Sequence, residues 1–373
     1  MNRILFNLRI SKKIILMLLH ISIGAACIFA IDVRITPPVF DGVNAEIFNS
    51  ELDRIFSDLR SEILDQVGGI DAFPKKLIGA FANSSVFSSA GATQRSYLGY
   101  DSFAFTLGAM AGLQLPTDPF SVVNQLDNLL DKIENENDLK LGVDPQILNV
   151  QFGFNTSKFL LENLYLGLKF GYMKLNPLPE YSFQTVSAGI LGNYQLIKRQ
   201  GFAGGLLLWR GINIGTGFIF QNSSLNIDLP LDTYNEYIGT EYFLVSMGIT
   251  PKLFMDFTTK TFTIPLELMT SVRLLQFLNI PFGFGVDFAF GGSDLNIGMD
   301  VDVDFVELPP GLSLRSSAEI SLSAGGKAGP SIVNPKLMTG IGLSIGPVIL
   351  EIPLTYFFLD NGFNLGVTLG FSL

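Results

Sequence analysis

Large apolar residues alternate with small or polar residues along most of this chain. In the last segment the apolar row is Phe363, Leu365, Val367, Leu369, Phe371 and Leu373, and the residues between them are Asn364, Gly366, Thr368, Gly370 and Ser372. Successive side chains of a β-strand point to opposite faces, so a period of two predicts a strand with one apolar and one polar face.

The same period recurs over 295–305 and 336–345, in segments of 10 or more residues, about the length that a tilted strand needs to cross a bilayer. We predict thirteen strands, near 102–115, 146–155, 163–174, 183–196, 203–220, 241–257, 262–276, 280–290, 294–306, 313–325, 336–346, 348–359 and 363–373. A bacterial barrel has an even number of strands, and the short alternation of Leu225, Ile227 and Leu229 is the candidate for the fourteenth.

The composition favours a membrane protein. Only 16% of the 373 residues are charged, against about 25% in a soluble domain. The most apolar stretch, 337–359, is interrupted by Pro347, Glu351 and Pro353, which disfavours a transmembrane helix. A single alternating strand would also suit a soluble sandwich, but the number of strands favours an all-β protein, a transmembrane antiparallel β-barrel of about 14 strands.

The first thirty residues resemble an export signal. Basic residues precede an apolar run from Ile14 to about Ile23, and small residues lead to Ala30, where we expect cleavage. Lipidation of Cys27 is an alternative, although Gly24 replaces the usual leucine. A retained anchor is disfavoured because the run is short of the roughly 20 residues needed to span a bilayer.

Two segments have helical rather than strand spacing of apolar residues. One is 45–67 and includes Phe56 and Leu59; the other is 120–134 and includes Leu126, Leu130 and Ile133. We predict a signal at 1–30, a partly helical hatch or plug at 31–95 and the barrel at 96–373. The first helix could instead contact another periplasmic protein, and the second could cover the barrel mouth or merely decorate a loop.

The connections predict an orientation in the membrane. Outer-membrane barrels have short periplasmic turns and longer extracellular loops. The Gly346-Pro347 turn and the end of the last strand are therefore expected in the periplasm, and the long connection 116–145 outside.

The residue types exclude several kinds of chemistry. His20 and Cys27 are the sole histidine and cysteine, and both lie in the predicted signal. A Ser-His-Asp or Cys-His catalytic site is therefore excluded from the secreted chain, and we expect no enzyme, no catalytic residue, no metal and no cofactor. A net charge of -10 disfavours a nucleic-acid partner.

Charged residues on inward rows are candidates for binding ligands in the lumen. They are Glu267, Arg273, Asp287, Asp300, Asp302 and Asp304. The last three lie two apart on one strand and would form a solvated wall that attracts cations; a calcium site and acid/base catalysis are the alternatives. Hydrophobic-pocket candidates are Leu126, Leu130, Ile133, Phe56 and Leu59.

Four blocks of the sequence resemble a known family. They are Phe81-Ala-Asn-Ser-Ser through Asp101, Thr263-Ile-Pro-Leu-Glu, Asn279-Ile-Pro-Phe-Gly-Phe-Gly-Val-Asp and Gly346-Pro-Val-Ile-Leu-Glu-Ile-Pro-Leu. They are similar to spirochaetal (treponemal) outer-membrane proteins grouped with the FadL long-chain fatty-acid transporters. The resemblance implies a monomeric 14-stranded barrel, a hatch in its lumen and uptake of hydrophobic ligands. The hatch region lacks the Asn-Pro-Ala or Asn-Pro-Phe signature, so no binding residues carry over, and Leu373 replaces the usual terminal phenylalanine.

These observations favour a transport protein of the cell outer membrane. We expect its partners to be outer-membrane lipid, a hydrophobic small molecule such as a long-chain fatty acid, and the barrel-assembly machinery, which would bind the C-terminal strand. Two alternatives remain, namely an open cation-preferring porin for small hydrophilic solutes and a surface adhesin or structural protein.

Overall fold

A computed structural model describes residues 30–67, 75–90, 100, 102–115, 141–157, 160–239, 244–308 and 311–373. Two helices are present in these segments, α1 at Ala45–Val67 and α2 at Lys75–Ala90. The strands are β1 Ala30–Thr36, β2 Val39–Gly42, β3 Phe103–Gln114, β4 Gly142–Asn155, β5 Leu164–Leu178, β6 Tyr181–Ile197, β7 Gln200–Phe202, β8 Leu207–Pro230, β9 Tyr234–Gly239, β10 Leu244–Leu274, β11 Leu278–Glu307, β12 Leu312–Ser316, β13 Ala318–Ala328, β14 Val333–Ile345, β15 Val348–Phe357 and β16 Gly362–Ser372.

Fourteen strands form one large sheet, as the period-two pattern predicted. Ten of them close into a ring in the order β3-β4-β5-β6-β8-β10-β11-β14-β15-β16, with β16 pairing back onto β3. Of the other four, β7, β9 and β13 attach to strands of this ring and β1 pairs with β13, whereas β2 pairs with β12 in a separate ribbon. Closure removes the free strand edges, which lipid cannot hydrogen-bond.

The chain divides into two compact units. One consists of Met1–Phe73, Asn226–Asp256 and Leu295–Gly326, and we call it the helix-on-sheet unit. The other consists of Pro74–Leu225, Phe257–Asp294 and Lys327–Leu373, and we call it the barrel unit. The predicted hatch, 31–95, therefore contributes residues to both units.

The barrel unit has two different ends. At the turn end lie the 346–347 and 275–277 turns, the connections 156–163 and 198–206, and the last residue, Leu373. At the loop end lie Leu115 and Leu141, which flank the long connection between β3 and β4, and the turns 179–180 and 358–361.

Side chains alternate in the barrel unit as the sequence predicts. On β5 the outward row Leu166, Leu168, Phe170 and Tyr172 is exposed, and the inward row Tyr165, Gly167, Lys169, Gly171 and Met173 is buried. Rows of exposed large apolar residues recur on β3, β4, β14, β15 and β16. A soluble protein rarely exposes so much contiguous apolar surface, whereas a barrel in lipid requires it. The barrel unit is thus a transmembrane antiparallel β-barrel. No helix within the described ranges is long and apolar enough to cross a membrane.

The helix-on-sheet unit has an apolar core of its own. One face of α1 packs on Met299, Val301 and Val303, which alternate along the C-terminal part of β11. The buried members are Phe40, Phe48, Leu52, Phe56, Met299, Val301, Val303 and Ala318. Asn49 of α1 also holds β2, since its amide exchanges two hydrogen bonds of 2.9 Å with the backbone of Phe40.

Some predicted elements differ from those observed. Helix α1 has the predicted bounds, 45–67. The predicted strands 241–257 and 262–276 are one strand, β10, and 280–290 and 294–306 are one strand, β11. The short alternation at 225–229 is the end of β8 rather than a separate strand. The predicted helix 120–134 lies outside the described residues.

Candidate functional site: the plugged lumen

Helix α2 lies inside the ring of strands. Ser85 contacts Thr261 of β10 with 3.2 Å between the hydroxyl oxygens, and Asn83 donates a 3.0 Å hydrogen bond to Gln114 of β3. These two strands are five positions apart in a ring of ten, so they stand on opposite walls. A helix that bonds to opposite walls occupies the lumen.

More of the wall contacts the second half of α2. Ser88 accepts hydrogen bonds from Gln146 of β4 and Gln221 of β8, at 2.9 and 3.0 Å. The hydroxyl-bearing residues Ser84, Ser85, Ser88 and Ser89 are all fully buried. Buried hydroxyls are costly unless they are hydrogen-bonded, so this polar helix is stable where the wall offers amides and hydroxyls.

The C-terminal end of α2 is held by two side chains of the wall. The last four carbonyls of a helix lack partners within it and carry partial negative charge. Lys169 of β5 donates to the carbonyl oxygen of Ser89 at 2.5 Å, and Asn364 of β16 donates to that of Phe87 at 2.9 Å. Lys169 is 1% exposed, so its cation stabilises the helix end without competition from bulk water.

Three glycines let the helix backbone pack directly on the wall. A Cβ atom at Gly112 would lie 2.1 Å from the carbonyl oxygen of Ser84, and one at Gly142 would lie 2.2 Å from that of Ala80. A Cβ at Gly362 would lie 2.1 Å from the ring of Phe87, which stacks on Phe357 with 4.0 Å between ring centroids. Any larger residue at these positions would push α2 away from the strands.

A buried polar network continues from the helix into the wall. Asp144 of β4 accepts hydrogen bonds from Ser223 and Gln221 of β8 at 2.6 and 2.8 Å, and one from Thr185 of β6 at 3.3 Å. Gln221 also bonds to Ser88 of α2. Strands β4, β6 and β8 and the helix thus form one connected network, and moving α2 breaks its bond to Gln221.

A second buried cluster in the lumen wall consists of charged side chains. Lys336 of β14 donates to Glu267 of β10 at 2.5 Å, and its amine lies 2.6 Å from a carboxylate oxygen of Asp287 of β11. All three side chains are at least nine-tenths buried. The structure therefore brings together two predicted lumen residues, Glu267 and Asp287. Arg273 lies elsewhere and donates to Asn279 at 3.2 Å.

The three aspartates of β11, predicted on an inward row, belong to the helix-on-sheet unit rather than to the barrel unit. Asp300, Asp302 and Asp304 are exposed in the helix-on-sheet unit, on the face of β11 opposite the row that packs on α1. The physical reason is that α1 supplies an apolar partner for Met299 and Val301. The polar row is left for solvent.

The five residues predicted to form a hydrophobic pocket are divided between helix α1 and the part of the chain that the structure does not describe. Phe56 is buried in the core of the helix-on-sheet unit, so it acts there as a packing residue. The backbone of Leu59 lies in α1. Leu126, Leu130 and Ile133 lie outside the described residues. Among the described residues, no group of three or more His, Cys, Asp or Glu side chains is arranged to hold a metal ion.

The sequence predicts neither a helix at α2 nor a position in the lumen for Lys169, Lys336 and Asp144. Helix α2 contacts the wall through four serines and one asparagine, which pack against three glycines of the strands. These polar and small residues form no apolar stripe that would indicate a helix. The available signal was the run 77–90, which contains no charged residue yet precedes a barrel strand.

Several solved barrels are similar to this chain at low sequence identity. The transport unit of the autotransporter AIDA-I from Escherichia coli has 11% identity and a TM-score of 0.34, with 80% of this chain and 98% of that chain covered. The CymD monoaromatic hydrocarbon channel has 10% identity and a TM-score of 0.26, with 81% and 99% covered. A Pseudomonas aeruginosa FadL homologue has 8% identity and a TM-score of 0.24, with 79% and 98% covered.

None of the curated proteins matches the sequence. One family model does match it, over residues 16–373, which is nearly the whole chain, and its description is Lsa36-like. The chain belongs to the Lsa36-like family.

Proposed function

We propose that this protein is an outer-membrane transport barrel in which α2 controls passage. The observation that carries the proposal is the position of α2, hydrogen-bonded to opposite walls of a closed ring. Substrate would move down its own gradient, because a barrel of this kind needs no residues that couple transport to energy.

The hydrogen bonds that hold α2 in the lumen suit a helix that can move better than one that is fixed in place. Its buried partners are hydroxyls and amides such as Ser88, Gln146 and Gln221, which can exchange their hydrogen bonds for bonds to water. An apolar interface would instead lose its burial on opening. Apart from the apolar cluster of Val86, Phe87, Ala289 and Phe357, the cost of moving α2 is therefore spread over many small and replaceable contacts.

Two classes of substrate are candidates. The four sequence blocks that resemble the FadL group favour hydrophobic ligands such as long-chain fatty acids, and the cluster of Val86, Phe87, Ala289 and Phe357 beside α2 supplies apolar surface in the lumen. The polar inward rows favour the second candidate, a path for small hydrophilic solutes. Lys336, Glu267 and Asp287 would then line that path.

A reversible lock on α2 tests the gate. The hydroxyl oxygens of Ser85 and Thr261 lie 3.2 Å apart, so sulfur atoms in the pair Ser85→Cys and Thr261→Cys need a shift of about 1 Å to reach the bond length of a disulfide. In a Cys27→Ser background the oxidised pair should lose at least 10-fold in uptake of radiolabelled oleate into proteoliposomes. Reduction should restore it.

Controls make either result decisive. The single variants, oxidised in the same way, should keep wild-type uptake, and heat-modifiable migration in gels reports that the barrel is folded. Swelling of the same proteoliposomes in raffinose measures the hydrophilic path, and the lock should abolish whichever of the two activities the protein has. Unchanged oleate uptake and unchanged swelling in the locked, folded barrel would refute the gate.

A further inference from the structure

Strand β1 forms a free edge of the sheet in the helix-on-sheet unit. Its seven residues pair with β13 in one antiparallel register, from Ala30 opposite Gly325 to Thr36 opposite Glu319. Among the residues that the structure describes, no strand pairs with the other side of β1. That side therefore presents backbone N–H and C=O groups that a further strand could bond.

The features that usually protect an edge strand are weak in β1. Natural edges are blunted by prolines, by bulges or by charges that repel an incoming strand. The register of β1 on β13 contains no bulge, and Pro37 and Pro38 lie just beyond its last residue. Its charged residues, Asp32 and Arg34, have opposite signs and are exposed, with 2.7 Å between their charged groups. They do not repel a strand of matching charge.

The sequence of β1 is complementary to itself in one antiparallel register. If Val33 lies opposite Val33 of a second copy, Asp32 of each copy lies opposite Arg34 of the other. Side chains directly opposite each other have Cβ atoms about 4.5–5.5 Å apart, so the four charges would alternate in sign and attract. A slip of two residues would place Arg34 opposite Arg34 or Asp32 opposite Asp32. A slip of one residue would turn the apolar row of one copy to the other face.

We infer that β1 pairs with β1 of a second copy of this chain, so that two helix-on-sheet units share one continuous sheet. Val33 is buried and Ile35 packs against the core beneath α1. The pairing would set the Val33 side chains of the two copies side by side on that apolar face, so burial would add to the hydrogen bonds and ion pairs. This inference goes beyond transport, because it assigns the edge of β1 a role in joining two copies, whereas the sequence resemblance implies a monomeric barrel.

Disulfide formation by Val33→Cys tests the register. Paired residues of antiparallel strands have Cα atoms about 4.5–5.5 Å apart, which is within the range of a disulfide. Thr36→Cys is the matched control, since two Thr36 residues would lie about 20 Å apart in this register although the side chain is more exposed. Both variants carry Cys27→Ser and are oxidised in membranes from the cells that express them. Val33→Cys should give roughly 10-fold more cross-linked dimer than Thr36→Cys.

A mixed pair of variants covers the case in which Val33→Cys folds poorly. Asp32→Cys and Arg34→Cys, produced in one cell with different affinity tags, place their cysteines opposite each other and keep one of the two ion pairs. Either variant alone places its cysteines diagonally, about 7–8 Å apart, which is too far for a disulfide. The mixed dimer should therefore exceed the dimer of either variant alone.

Charge reversal tests the ion pairs with the Val33→Cys cross-link as the readout. Asp32→Arg alone and Arg34→Asp alone each place like charges opposite each other and should lower the yield about 10-fold. The double variant exchanges the two charges, restores both attractive pairs and should restore the yield. Asp302→Arg, the same change on the exposed row of β11, is the control and should leave the yield unchanged.

Three results would overturn the inference. The first is the absence of a cross-link both from Val33→Cys and from the mixed pair. The second is an equal yield from Val33→Cys and Thr36→Cys, which would indicate random collision. The third is a double variant that cross-links no better than the single reversals, which would show that this register is not the one that forms.

Discussion

The same alternation of residues buries the polar row in the barrel unit and the apolar row in the helix-on-sheet unit. On β16, in the barrel unit, the apolar row that includes Val367 is exposed and the row of Asn364 and Thr368 is buried. On the last part of β11, in the helix-on-sheet unit, Val301 is buried and Asp302 is exposed. The period of two fixes a strand, but what each face meets depends on its partner: lipid around the barrel, α1 on the other sheet.

The comparison carries over to the charged residues. In the barrel unit a charge on the polar row is enclosed, so it needs partners, and Lys336 has two carboxylates. In the helix-on-sheet unit the polar row faces solvent, where Asp300 and its neighbours need no counter-ion. Substitutions on the two polar rows should therefore differ greatly in cost.

The largest effect is expected from Lys336→Met. It leaves Glu267 and Asp287 buried without their shared cation, and removing one partner of a buried ion pair costs about 3–5 kcal/mol. The urea midpoint of barrel unfolding in detergent, followed by heat-modifiable migration, should fall accordingly.

Lys327→Met is the matched control for Lys336→Met. Lys327 also has a carboxylate partner, Asp294, at 2.7 Å, but the two side chains are 83% and 56% exposed. Such a pair contributes less than about 1 kcal/mol. Equal shifts in the two variants would show that the polar row of β14 is not enclosed as described.

An intermediate effect is expected from Val301→Asp. The new carboxyl group would lie in the apolar core beneath α1, which costs about 3 kcal/mol from lost burial and an unsatisfied polar group. Hydrogen exchange of the α1 amides should accelerate by about 150-fold, while the barrel keeps its heat-modifiable migration.

The matched substitution on the opposite face, Asp302→Val, should leave this exchange within about twofold, because exposed positions tolerate change. If instead Asp302→Val accelerates exchange and Val301→Asp does not, the two faces of β11 have been assigned the wrong way round.

The strand pattern could be predicted from sequence, but two strand boundaries could not. At 258–261, between two of the predicted strands, the apolar alternation gives way to threonines and a lysine. Yet Thr259 and Thr261 are buried on the inward row, so the strand continues with polar residues facing the lumen. Gly291 and Gly292 lie between two other predicted strands, and a Cβ at Gly291 would lie 2.1 Å from the carbonyl oxygen of Lys260. That glycine permits close approach of β10 within a continuous sheet.

The sequence pattern predicts helix α1 but not helix α2. Helix α1 buries one face, so its apolar residues recur at helical spacing and its bounds were predicted. Helix α2 contacts polar side chains of several strands as well as the apolar Ala289 and Phe357, so no apolar stripe distinguishes one of its faces. The candidate site shows the same limit: Glu267 and Asp287 could be placed on inward rows, but their contact with Lys336 depends on strand register across β10, β11 and β14, which periodicity alone does not fix.

The smallest effect is expected from Glu51→Gln on α1, a change that probes solvent-facing charge in the helix-on-sheet unit. Arg54 donates a 2.6 Å hydrogen bond to the carboxylate of Glu51, and this bond and the guanidinium charge hold the pKa of Glu51 below its usual value. The pair therefore stabilises α1 above the unfolded pKa of glutamate, about 4.3, and this contribution is lost as the pH falls through the lowered folded pKa. Both groups are solvent-exposed, so the gain is small and screened by salt.

The ratio of α1 amide-exchange rates between variant and wild type should exceed one at pH 7 and approach one below about pH 4. Asp53→Asn, which removes a carboxylate from the same helix without touching the pair, is the control. A Glu51→Gln ratio that does not change with pH would show that the ion pair on this exposed face contributes nothing to the stability of α1.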